Sequence, residues 1–360
     1  MRSINLTGKS ILVTGAAGFV GANLSTRLLR ELDDAQIVGL DNMNAYYDVK
    51  LKDYRLERIR ETAADSKSSW NFVKGSIADK ALVDSLFAQY RFDVVVNLAA
   101  QAGVRYSIDR PDVYVESNLV GFFNILEACR HSRDGGEQGV EHLVYASSSS
   151  VYGGLKKVPF CVGDPVDEPV SLYAATKKSN ELMAHAYAKL YDIPTTGLRF
   201  FTVYGPAGRP DMFYFSAANK LARGEKIKIF NYGDCVRDFT YVDDVVEGVF
   251  RVMQGAPDRA TGDDGLPIPP NALYNIGGGR PENLLDFVDV LQTALVEEGV
   301  LPKDFDFEAH RELVPMQPGD VPTTYADSEP LERDFGFRPE IDVRRGLREF
   351  ARWYREFYKS

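Results

Sequence analysis

In the stretch VSLYAATKKSN, Tyr173 and Lys177 stand four residues apart in what reads as the first turn of a helix. That spacing puts both side chains on one helix face, where an ammonium favours the ionised phenol and turns it into a base. The chain has 19 tyrosines, and Tyr46 and Lys50 in YYDVK repeat the spacing, so context must separate the two pairs. Ser148, in YASSSSVYG at the end of an apolar run, lies 25 residues ahead of Tyr173, and Tyr46 has no such serine upstream. Tyr46 is therefore read as a chance match whose replacement by phenylalanine does little.

A second set of residues suits a phosphate-bearing ligand. Gly15, Gly18 and Gly21 in VTGAAGFVG follow a short apolar run and precede a helical pattern. This is the context in which backbone N–H groups at a helix N-terminus bind a pyrophosphate. Gly15 allows the turn, Gly18 the approach of the phosphates, and Gly21 close packing of helix on sheet. Asp41 ends the second apolar run, twenty residues after Gly21, where a carboxylate accepts hydrogen bonds from an adenosine ribose. The same carboxylate repels a 2′-phosphate, and the residues that follow are Asn42 and Met43 rather than arginine, so NAD is expected over NADP.

The elements that hold these residues alternate between apolar runs and helical patterns. SILVTG, QIVGLDN, NFVKGS, FDVVVNLAA and EHLVYASSS read as strands, with KALVDSLFAQY and NLVGFFNILEACRHS as helices between them, and IPTTGLRFFTVYG as a sixth strand and its exit loop. Alternation of this kind predicts an α/β fold with a Rossmann-type, doubly wound parallel sheet. Residues 42–70 and 152–170 read as insertions after strand ends, where open sheets bind ligands. Beyond residue 200 the pattern becomes irregular, with helices expected near 282–298 and 342–358. The expected division is a dinucleotide-binding domain over 1–200 and a smaller α/β substrate domain over 201–360, with some segments returning to the first sheet.

The 360 residues are 44% hydrophobic, enough for a large core, and carry a formal charge of −10. That charge argues against nucleic acid or an anionic membrane surface as partner, so an anionic ligand must meet a local basic pocket. Cys129, Cys161 and Cys235 are too few and too scattered for a disulfide framework or a metal site, and are expected to be buried thiols. No apolar run is long enough to span a bilayer, and a cytoplasmic location is expected.

Taken in order, GAAGFVG, NLAAQAGVRYS, ASSSSVYG, YAATK, LRFFTVYGPAGRPDM, RDFTYVDD and QPGDVPTTYAD resemble the motifs of the extended short-chain dehydrogenase/reductase family, and within it the nucleotide-sugar 4-epimerases. The last motif and GRPDM are most similar to the members that act on UDP-glucuronate. The resemblance implies that Tyr173 takes the O4 proton while the C4 hydride goes to NAD. The 4-keto sugar then turns over and is reduced on its other face. Lys177 would lower the phenol pKa and hold the nicotinamide ribose, and Ser148 would contact O4, with Ser149 or Ser150 sharing the sugar. Cofactor contacts are implied for Gly15, Gly18, Phe19, Val20, Gly21, Asp41, Asn42, Ser76, Ile77, Leu98, Ala99, Ala100 and Asn118. Arg237 and Arg105 are implied for the diphosphate, Asp320 for the uridine ribose, and Arg209 with Thr202 for the sugar carboxylate. The chain departs from the family pattern at Ser76, where aspartate is usual, at Asn97, where histidine is frequent, and at Gln317, where many members carry arginine. Serines alone precede VYG, without the acidic residues of the lyase and decarboxylating members. A homodimer formed by NLVGFFNILEACRHS and KKSNELMAHAYAKLY is also implied; no metal is.

Overall fold

The first apolar run forms the strand Ser10–Thr14, and the glycine turn after it leads into the helix Phe19–Glu31. In the computed structural model, which describes residues 1–316 and 321–359, this strand lies inside a seven-stranded parallel sheet. The strand order across that sheet is Asn271–Ile276, Thr195–Phe200, His142–Ser148, Val94–Asn97, Ser10–Thr14, Gln36–Asp41 and Ser69–Lys74. Its inner strands are buried on both faces because helices cover both sides. Winding reverses between Ser10–Thr14 and Val94–Asn97, which pair directly and leave a crevice beyond their carboxyl ends.

Three features differ from the sequence expectation. The stretch 42–70 is not a plain insertion: it contains the crossover helix Val49–Ala64. Eight charged residues dilute its apolar stripe to Leu51, Leu56 and Ile59, too thin a signal for helical periodicity. The run IPTTGLRFFTVYG divides at Phe201, so that Thr195–Phe200 stays in the main sheet while Thr202–Tyr204 pairs with Val236–Tyr241 in a small three-stranded sheet. Asn271–Ile276, by contrast, is a segment of the C-terminal half that returns to the main sheet, as expected, and forms its seventh strand. A π-helical segment, Val115–Val120, precedes the helix Gly121–His131.

The C-terminal helices Leu284–Glu297 and Val343–Lys359 pack into the same apolar cluster as Phe19–Glu31. Asp238, fully buried, accepts N–H groups from Gly278, Gly279 and Ala326 and so ties the exit of the seventh strand to the small sheet. Cys129 and Cys235 are buried as expected, whereas Cys161 is partly exposed because it sits in the 152–170 loop. Among the described residues no helix is long and apolar enough to cross a membrane.

Candidate functional site

A cavity of about 1090 Å³ opens at the carboxyl ends of the sheet strands and runs from the glycine turn to Arg237. At one end, Gly15 adopts φ +68°, a left-handed conformation that disfavours side chains, and a Cβ there would lie 2.8 Å from the Ala99 nitrogen. A Cβ on Gly21 would lie 2.2 Å from the Gly15 carbonyl oxygen, so only glycine lets the helix start this close to the turn. The helix begins at Gly18 with no side-chain cap, which leaves its first N–H groups to whatever occupies the cavity.

Asp41 is buried beside this turn. Its Oδ2 accepts the Ala17 N–H at 3.1 Å, and its Oδ1 accepts the Met43 N–H at 2.8 Å and faces the Lys52 ammonium at 3.4 Å. Lys52, itself buried, also donates to the Asn44 side chain at 3.1 Å. No spacing rule singles out Lys52; it meets Asp41 only because the crossover helix packs beside the second strand. Phe19, Val20, Asn42, Ser76, Ile77, Leu98, Ala99 and Ala100 line the same end of the cavity. An uncapped helix start, a tight glycine turn and a carboxylate at the end of the second strand of the fold's first half fit a dinucleotide.

Asn118 lies behind the cavity wall instead. Its amide donates to the Gln101 carbonyl and to Thr176 Oγ1, both at 3.0 Å, and its Oδ1 accepts the Gln101 N–H at 2.8 Å. With these bonds made, Asn118 braces the loop after Val94–Asn97 against the helix of Tyr173. The π-helical turn that carries it supplies the orientation, which residue spacing could not reveal.

In the middle of the cavity, Ser171 caps the helix Leu172–Tyr191 and places Tyr173 in its first turn. Tyr173 is half-buried at the cavity wall, in edge contact with Tyr114 at 6.0 Å between ring centroids. Burial raises its phenol pKa above the ordinary 10.0, and the Ser148 hydrogen bond and the Arg209 charge act against that rise. Lys177 is buried in the same wall of the cavity. Its ammonium donates to the Ala146 carbonyl at 2.8 Å, and burial pulls its pKa down to about 8. Arg209 is thus a second cation that acts on the Tyr173 phenol, one that the spacing did not mark.

Strand alternation separates the serines. Ser147 donates to Glu181, which forms a buried two-pronged ion pair with Arg199 at 2.8 Å on each contact. Ser148 lines the cavity with Tyr173 and accepts the Ser150 N–H at 3.1 Å, while Ser149 and Ser150 line the cavity in the following 3₁₀ turn, Ser149–Tyr152.

The far end of the cavity is lined by Arg105, Thr202, Arg209 and Arg237. The Arg105 guanidinium lies over the Phe230 ring at 5.2 Å, and Arg237 donates to the Pro322 carbonyl at 2.9 Å. Lys220 and Lys228 also line it, basic residues that no motif marked. Asp320, with Gln317, falls outside the described residues. Arg209 forms a two-pronged pair with Asp211, and Tyr46, set aside as a chance match, donates its hydroxyl to Asp211 at 3.2 Å in this same cavity.

The model of the NAD dependent epimerase/dehydratase family matches residues 11–277. The chain is 43% identical over 359 residues to UDP-glucuronate 4-epimerase 2 of Arabidopsis thaliana, covering 98% of this chain and 77% of that one. It is 40% identical over 356 residues to the probable UDP-glucuronate 4-epimerase of Rhizobium meliloti (strain 1021), covering 97% of each. The crystal structure of UDP-glucuronic acid 4-epimerase from Bacillus cereus in complex with UDP-glucuronic acid and NAD superimposes with a TM-score of 0.80 at 29% identity, covering 97% of this chain and 100% of that one. The matched stretch runs from the first strand of the main sheet to the end of the seventh and takes in nearly all of the cavity lining; the chain belongs to the NAD dependent epimerase/dehydratase family.

Proposed function

We propose that the chain interconverts UDP-glucuronate and UDP-galacturonate by epimerisation at C4. The observation that carries this reading is a cation in the wall of the cavity that Tyr173 also lines: Arg209. A sugar whose O4 meets Tyr173 then brings its neighbouring C5 substituent toward that guanidinium, and a carboxylate is the substituent such a cation holds best. The names of the relatives support the same substrate. Tyr173 takes the O4 proton, Ser148 orients O4 by hydrogen bonding, and Lys177 holds the ribose beside it. NAD, when bound, supplies the reversible two-electron acceptor for C4. After the first half-reaction Tyr173 keeps the proton until the 4-keto sugar presents its other face. Arg105 and Arg237 receive the diphosphate, and residues 201–360 supply most of the sugar-nucleotide contacts.

A second reading, a 4-epimerase of neutral UDP-hexoses, is favoured by one feature. Asp211 already matches the charge of Arg209, and a neutral pair tolerates a neutral sugar. Incubation with UDP-glucuronate, UDP-glucose and UDP-N-acetylglucosamine, with the epimers then separated, decides between the two; turnover of neutral sugars alone rejects the first.

The base also has a pH signature. Because burial raises the Tyr173 pKa above 10.0, its phenolate should titrate above that value in cofactor-free protein. The cationic nicotinamide of NAD should move the titration to lower pH, and uncharged NADH should not. The ultraviolet difference between wild type and Tyr173→Phe against pH measures this. Equal titrations with NAD and NADH would exclude the cofactor charge as the cause.

We further propose a homodimer. Val115, Val120 and Phe123 near one helix and Leu182 and Leu190 on Leu172–Tyr191 are large apolar side chains left exposed. A monomer mass by sedimentation equilibrium at micromolar concentration rejects it.

A further inference from the structure

We propose that Asp211, supported by Tyr46, is a positioning residue that fixes the plane of the Arg209 guanidinium and thereby makes the site selective for a uronate. This rests on the glucuronate reading given above.

Asp211 accepts the Arg209 Nε–H at 3.0 Å and a terminal N–H at 2.5 Å. A guanidinium has five N–H groups in one rigid plane, so this contact consumes one edge and leaves three donors on the other. Rotation about the last side-chain torsions would break both bonds at once. The side chains are 24% and 29% exposed, so the pair is only partly screened by water. Tyr46 donates to Asp211 Oδ2 at 3.2 Å, the same oxygen that meets the Arg209 terminal N–H, and stands against Tyr106 at 4.8 Å between centroids. Burial pushes the Asp211 carboxyl up, but Arg209 outweighs it and keeps the group ionised. Gly103 closes the arrangement: a Cβ there would lie 2.9 Å from the Tyr46 hydroxyl and 3.7 Å from an Arg209 terminal nitrogen.

Three segments far apart in the chain thus meet around the Arg209–Asp211 pair. A planar carboxylate needs the free N–H groups in a fixed plane, because two parallel bonds form only when both planes coincide. A hydroxymethyl group makes one bond in many orientations. The arrangement therefore favours the uronate without adding charge to the site.

The opposite possibility is that Asp211 merely competes with the substrate carboxylate for Arg209. The two differ in sign. Positioning predicts that Asp211→Asn lowers kcat/KM for UDP-glucuronate by roughly tenfold or more and lowers it less for UDP-glucose. Tyr46→Phe, which removes one supporting hydrogen bond, should give about a two- to tenfold loss in the same direction. In both variants the share of UDP-pentose and CO2 in the products should rise, because a carboxylate held loosely is more readily lost from the 4-keto sugar. NAD affinity by fluorescence titration reports that the fold is intact. Wild type inactive on UDP-glucuronate would overturn the glucuronate reading and this inference together. Wild type that prefers UDP-glucuronate, with Asp211→Asn unaffected or improved, would overturn this inference alone.

Discussion

Tyr173→Phe is expected to lower epimerisation by about 10²–10⁴-fold, the contribution of a positioned proton acceptor, while leaving NAD binding and the fold in place. The ring keeps its edge contact with Tyr114, and the helix keeps its Ser171 cap and its brace to Asn118 through Thr176. What is lost is the hydroxyl that Ser148 and Arg209 act on. Turnover of UDP-glucuronate and NAD affinity, measured on the same preparation, test this. Retention of most of the activity means that Tyr173 is not the base. A parallel loss of NAD binding means that the variant speaks to the fold and not to the chemistry.

Arg209→Ala is expected to cut kcat/KM for UDP-glucuronate by roughly ten- to a hundredfold, from a charge-assisted contact worth about 1.5–3 kcal/mol. UDP-glucose should suffer less. Removing Arg209 also leaves Asp211 as an unmatched, partly exposed carboxylate in the same cavity as the substrate carboxylate, so repulsion adds to the lost attraction. Oxidation at C4 of a glucuronate gives a β-keto acid, which loses CO2 when its C5–carboxylate bond aligns with the carbonyl π system. An arginine that holds the carboxylate out of that alignment protects the intermediate, so the variant should release more UDP-pentose per turnover. Equal losses on both sugars, with no rise in UDP-pentose, would remove the glucuronate assignment and leave the neutral-sugar reading.

Much of the site was legible in the sequence because its signals are local. The glycine turn needs three glycines at set distances between a strand and a helix, and Gly15 and Gly21 do occupy positions that a Cβ would obstruct. Tyr173 and Lys177 share a helix because four residues make about one turn, and Lys80–Tyr90 begins and ends where the apolar periodicity said it would. Each of these facts is contained within twenty or so residues of chain. The tertiary structure alone decided which polar groups answer one another. Lys177 finds the Ala146 carbonyl, Lys52 finds Asp41, and Asn118 spends its amide inside the wall. Arg209 is met by Asp211 two residues on, and by way of it by Tyr46 from 165 residues away. The same holds for Asn271–Ile276, which completes the main sheet, and for the break at Phe201 that sends one apolar run into two sheets. The reason is physical: periodicity and turn chemistry are written in neighbouring residues, whereas a buried charge takes whichever partner the folded chain brings within reach of a hydrogen bond.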